Sequence, residues 1–93
     1  MKVVILGAGE SGVGAAILAK KKNFEVFVSD KGKIKDNFRE ELEKNKIPYE
    51  ELKHTENKIF EATEVIKSPG IPDKVPLIKA LKERGIPVIS EID

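Results

Sequence analysis

Apolar residues in this chain come in short blocks, and each block ends at a glycine, a proline or a cluster of charge. Met1 to Leu6 (Met-Lys-Val-Val-Ile-Leu) is apolar almost throughout. That is the pattern of a strand covered on both faces in a parallel sheet, and it predicts a central position. Beyond residues 7–12 the spacing changes: Val13, Ala16 and Ile17, with the small Ala15 and Ala19, form a stripe at helical intervals that runs out at Lys20-Lys21-Lys22-Asn23. Lysines suit the negative end of a helix dipole, and Asn23 suits the C′ position.

Phe24 to Ser29 (Phe-Glu-Val-Phe-Val-Ser) is β-branched and aromatic and predicts a second strand ending on Asp30. Phe38 and Leu42, four apart in a field of charge, predict a thin amphipathic helix over residues 35–46. Residues 47–52 predict a weak third strand, placed near an edge by Pro48 and its acidic residues. Thr55 is placed to N-cap a short helix carrying Ile59 and Phe60 over residues 56–62. Residues 63–67 form the fourth strand, and it runs into Ser68-Pro69-Gly70-Ile71-Pro72, where two prolines around a glycine forbid regular structure. Pro76 suits the first position of a helix that Leu77, Ile78 and Leu81 carry to Gly85, and residues 86–90 are the fifth strand.

Strands alternating with helices predict an α/β fold: a Rossmann-like, three-layer, doubly wound parallel sheet of five strands, order 3-2-1-4-5, with about four helices. Ligands in such sheets bind beyond the carboxyl ends of the strands, where the strand order reverses. Residues 7–12, 30–33 and 68–72 all fall on that edge.

The first of these loops, Gly7-Ala8-Gly9-Glu10-Ser11-Gly12, matches G-x-G-x-x-G between a strand and a helix. Its glycines permit a tight turn, close approach to a pyrophosphate and close helix–strand packing, while the helix start offers free N–H groups to an anion. Asp30 stands about where dinucleotide-binding units place an acidic residue for a ribose hydroxyl. Aspartate also ends strands by forming Asx-turns, and Lys31-Gly32-Lys33 has the composition of a turn.

Composition narrows the function. Seventeen basic and 16 acidic residues leave a net charge of +1, interspersed along the 93 residues, so no single-sign field points to nucleic acid or to a membrane. No apolar run approaches the ~18 residues of a spanning helix, and the N-terminus opens into a strand and not a signal peptide, so a cytoplasmic protein is expected. With no cysteine there is no thiolate nucleophile, and the sole histidine, His54, lacks neighbours at metal-ligand spacing and reads as an ordinary loop residue.

Taken together, the glycine loop, Asp30, the His54-Thr55 lead into a short helix, Ser68-Pro69-Gly70-Ile71 and the final Ser90-Glu91-Ile92 resemble the N-terminal domain of the Mur ligases over nearly the whole chain. Ser-Pro-Gly after the fourth strand is the specific element. The resemblance implies that the domain holds UDP-N-acetylmuramoyl-L-alanine by its uridine diphosphate end. Gly9, Glu10, Ser11 and Gly12 would supply backbone donors, Asp30 would read the uracil, Lys31 would stand near the nucleotide, and Ser68, Pro69 and Gly70 would face the phosphates.

A carboxylate accepts only, and uracil offers one ring N–H, so the Asp30 role is chemically matched. Family members often carry an arginine two positions after the aspartate; here Gly32 stands there, leaving Lys31 or Lys33 as a point charge without bidentate geometry. The family reaction activates a substrate carboxylate with ATP and Mg2+ before an amine attacks, D-glutamate's in the branch this chain most resembles. No G-x-x-x-x-G-K-[ST] occurs in the chain, which stops at Asp93 straight after a strand. An N-terminal fragment is therefore expected, without cofactor, lacking the central ATP-binding and C-terminal domains and inactive alone. The alternative is an NAD-binding regulatory module, which would use the glycine loop and Asp30 equally well but has no use for Ser68-Pro69-Gly70.

Overall fold

The computed structural model describes residues 1–90. Five strands, β1 (Lys2–Leu6), β2 (Glu25–Ser29), β3 (Tyr49–Glu50), β4 (Glu64–Lys67) and β5 (Val88–Ser90), form one parallel sheet in the order β3-β2-β1-β4-β5. Four helices connect them: α1 (Glu10–Lys21), α2 (Asp36–Lys44), α3 (Glu56–Ile59) and α4 (Pro76–Glu83). This is the predicted topology, with β1 in the centre. Glu91 and Ile92, which carry the end of the resemblance, lie outside the described residues.

β1 is apolar on both faces because both faces are covered. Val3 and Ile5 join Val26, Val28, Val13, Ala16 and Leu42 under α1 and α2, while Val4 and Leu6 join Phe27, Val65, Ile59, Ile78 and Leu81 under α3 and α4. Each fully buried aliphatic side chain contributes about 1.5–3 kcal/mol, enough for the single buried leucine of α2, Leu42, to anchor an otherwise charged helix. Among the described residues no helix is long and apolar enough to cross a membrane.

Helix ends follow the local chemistry. Asn23 and Gly85 take positive φ, 67° and 76°, after α1 and α4, and Pro76 opens α4. Two expectations are corrected. The third strand pairs over Tyr49–Glu50 only, because Pro48 has no N–H to donate and Leu52 at φ 65° turns the chain away. Thr55 is the N-cap residue of α3, yet its side chain makes no cap; its hydroxyl donates to the buried carboxylate of Glu50 instead. The charge-assisted bond to the carboxylate fixes the side chain in a rotamer that makes no cap.

The turn from β1 into α1 is tight. Gly7 adopts φ 100°, and a methyl at Gly12 would stand 1.9 Å from the Gly7 carbonyl oxygen. Gly12→Ala is therefore expected to lose about 3 kcal/mol, the upper end of ordinary overpacking, in urea unfolding. Gly14, two residues on and on the exposed side of α1 with nothing within 4 Å, is the control: Gly14→Ala should gain about 0.5–1 kcal/mol from helix propensity.

Candidate functional site

Backbone bonds continue the sheet beyond its strand ends. The Gly7 N–H donates to the Ser29 carbonyl at 2.9 Å, the Ser68 N–H to the Leu6 carbonyl at 2.9 Å, and the Asp30 N–H to the Glu50 carbonyl at 3.1 Å. The loops after β1, β2 and β4 are thereby fixed side by side. They border a cleft of about 680 Å³, in the size range of small-molecule sites. Gly9, Asp30, Lys31, Ser68 and Gly70 line it, as do Lys53, His54 and the start of α4.

The other predicted residues lie elsewhere. Glu10 and Ser11 are exposed and border a second hollow of about 430 Å³ that runs along α1 over β1 and β4. Gly12 is buried in the turn, and Pro69 is exposed outside the cleft lining. The second hollow is walled by Met1, Val3, Leu18, Phe24 and Ile66 together with Lys22 and Glu64, whereas the first lies at the carboxyl ends of the strands, where the strand order reverses. Lys33 is exposed and is not part of the cleft wall, whereas Lys31 is.

One wall of the cleft carries donors. Gly9 is the N-cap of α1 and has no side chain to satisfy the first amides of the helix, and a Cβ at Gly9 would have nothing within 4 Å. Facing it, the loop after β4 is a turn closed by the Ile71 N–H on the Ser68 carbonyl at 3.0 Å, with Pro69 at its second position. The buried Lys67 braces this loop from behind: its Nζ donates to the Ile71 carbonyl at 2.8 Å and stands 3.4 Å from Asp73. Sequence reasoning missed Lys67, whose only signal was a charge at an inward position of a strand.

Asp30 makes the turn considered for it and also ties two loops together. Oδ1 accepts from the Gly32 N–H at 2.8 Å, an Asx-turn, and Oδ2 accepts from the Ala8 N–H at 2.8 Å, tying the second loop to the first. A carboxylate has about four acceptor sites, so two remain for a ligand.

Behind Asp30 lies a network absent from the sequence reading. The buried Glu50 carboxylate accepts from the Ser29 hydroxyl at 2.8 Å, the Thr55 N–H at 2.7 Å and the Thr55 hydroxyl. Burial works against charge on Glu50, but these hydrogen bonds outweigh it and hold its pKa below the ordinary value. The same Ser29 oxygen lies 2.6 Å from Nδ1 of His54. Burial pushes the His54 pKa down, and Lys31 adds to this, against the opposing pull of Glu50 and Asp30.

The comparisons with known proteins bear on this site as a whole. The family model described as the MurD N-terminal domain matches residues 2–75. The chain belongs to that family. It is 63% identical over 92 residues to a UDP-N-acetylmuramoylalanine--D-glutamate ligase of Christiangramia forsetii and 60% identical over 92 residues to one of Bacteroides thetaiotaomicron, in each case over 99% of this chain and 21% of the relative. The chain thus spans about a fifth of the length of these relatives. In fold it is similar to UDP-N-acetylmuramate-alanine ligase MurC of Thermotoga maritima (TM-score 0.80, 22% identity, 98% of this chain and 21% of that one). It is also similar to a pseudomurein peptide ligase type C of Methanothermus fervidus (TM-score 0.82, 21% identity, 96% and 19%).

Glu50 makes the stability of the domain acid-sensitive. Its folded pKa lies below the unfolded value near 4.5, so its contribution is full above that pH and is lost as the pH falls through the folded value. His54, lowered from 6.5, acts with the same sign at higher pH: the unfolded chain takes up the proton first, and stability falls as the pH drops below about 6.5. Glu50→Gln should cost about 2 kcal/mol at pH 7, by loss of charged hydrogen bonds, and flatten the decline below pH 5 in urea unfolding measured across pH.

Proposed function

We propose that this domain holds UDP-N-acetylmuramoyl-L-alanine by its uridine diphosphate end. It does so as the N-terminal part of a longer, cytoplasmic, ATP-dependent ligase that adds D-glutamate to that substrate in peptidoglycan precursor synthesis. The observation that carries the reading is the joining of three strand-end loops into one cleft with amide donors on one wall and a partly free carboxylate on another. A diphosphate suits the Gly9 end of α1, where the first amides of the helix have no side-chain cap, and the Ser68–Gly70 turn opposite. The Glu10 carboxylate, on the side of the second hollow, does not compete with the phosphates.

Asp30 suits a ligand that brings a donor, such as the uracil ring N–H, and Lys31 adds a cation nearby. The relatives that bear the ligase name support a uridine substrate over NAD, and the Ser68–Pro72 loop has a task in this reading alone. ATP, Mg2+ and D-glutamate are assigned to parts of the longer protein outside these 93 residues, which carry no P-loop motif. The chain by itself is expected to bind and not to turn over, with neither nucleic acid nor membrane as a partner.

Thermal unfolding with added ligand tests this. UDP-N-acetylmuramoyl-L-alanine at about 100 times its Kd adds about 2.7 kcal/mol of stability, whereas NAD should add nothing measurable. The reverse ranking would reject the assignment in favour of a dinucleotide module. By calorimetry, Asp30→Ala should weaken UDP about 10- to 150-fold, the equivalent of about 1.5–3 kcal/mol for a hydrogen bond to a charged group. An unchanged Kd would remove Asp30 from the site.

A further inference from the structure

The contacts of Ser29 determine where the proton of His54 sits. Ser29 Oγ lies within hydrogen-bond distance of three groups: Glu50 Oε2 at 2.8 Å, the Lys53 carbonyl at 3.2 Å and His54 Nδ1 at 2.6 Å. A carboxylate and a carbonyl only accept, and a hydroxyl has one proton to give. That proton goes to Glu50 or Lys53, so Nδ1 must bring its own. The imidazole is thus held with its hydrogen on Nδ1, and in the neutral ring Nε2 is left with a lone pair. His54 lines the cleft beside Asp30, and among the described residues Nε2 makes no hydrogen bond.

We propose that His54 is a specificity-determining residue of the cleft, whose Nε2 accepts a hydrogen bond from the nucleoside end of the bound nucleotide, with Ser29 and Glu50 as the positioning residues that fix its tautomer. The proposal rests on the uridine diphosphate reading given above. Asp30 and His54 then form a wall that only accepts, and it selects ligand groups that can donate to it. The uracil ring N–H and the ribose hydroxyls both qualify. Cytosine turns a bare ring nitrogen to the position of the uracil ring N–H and lacks that one donor.

Because His54 is the sole histidine, its two ring nitrogens can be read without ambiguity by 15N NMR of the chain. The free protein should show a protonated Nδ1 and a bare Nε2, and saturating UDP should move the Nε2 resonance toward that of a hydrogen-bonded nitrogen with Nδ1 little changed. Ser29→Ala removes the acceptor for Nδ1–H and should yield a mixture of tautomers. His54→Phe should weaken UDP about 3- to 10-fold, as expected for loss of one neutral hydrogen bond.

Two further ligands identify the donor. If it is a ribose hydroxyl, His54→Phe loses part of the native preference for UDP over 2′,3′-dideoxy-UDP; if it is the ring N–H, the variant loses part of the preference for UDP over CDP. Loss of neither preference overturns the proposal, as does an Nε2–H tautomer in the free protein. UDP binding that leaves the Nε2 resonance in place overturns the role of His54 alone. Failure of UDP to bind at all overturns the functional reading and this proposal with it.

Discussion

The close approach of three strand ends is the constraint on which the rest of the molecule depends. A Cβ at Gly7 would stand 2.9 Å from Cβ of Ser68, and one at Gly12 would meet the Gly7 carbonyl. Glycine at both positions lets the loops after β1 and β4 lie against each other and lets α1 start directly over the end of β1. Gly9, at the start of α1, and the Ser68 turn therefore border one cleft sized for a small molecule. The covered faces of β1 serve the same end, since a central strand buried on both sides cannot tilt to relieve crowding at its tip.

Asp30 shows how one side chain can hold two loops together and still border the cleft. Its two bonds, to Ala8 and to Gly32, fix the relation between two loops, and the acceptor positions left over face the cleft. The two explanations weighed from sequence, a turn residue and a ligand residue, are compatible because a carboxylate has more lone pairs than a turn consumes. Lys67 follows the same economy from beneath the sheet. A buried ammonium bonded to the Ile71 carbonyl gives the Pro69-Gly70-Ile71-Pro72 loop a fixed floor.

Much of this was legible in the sequence, and what was not had a common cause. Strand order followed from one continuously apolar block at Met1–Leu6 and from the handedness of βαβ connections, both of which are local or universal. Gly9, Asp30, Ser68 and Gly70 were legible because each sits at a strand end whose direction the topology fixes. Glu50 counted only among the acidic residues that place the third strand near an edge, and it is buried, since its partners Ser29 and Thr55 reach it from different parts of the chain. His54 was read as an ordinary loop residue for the same reason: its partner Ser29 stands 25 residues earlier, and no spacing rule links a loop histidine to a strand serine. Thr55 looked like a cap because the capping rule considers the helix alone, and the bond its hydroxyl donates to a buried carboxylate sets its rotamer instead.

The shortness of β3 has a consequence for how this sheet meets other chains. An edge strand with free N–H and C=O groups is a template on which a further strand can assemble. Here only Tyr49 and Glu50 pair, Pro48 offers no donor, and the chain turns off at Leu52. The segment is too brief and too poor in donors to nucleate strand addition, so copies of the domain crowded together have no ready route along that edge to an open-ended β ribbon.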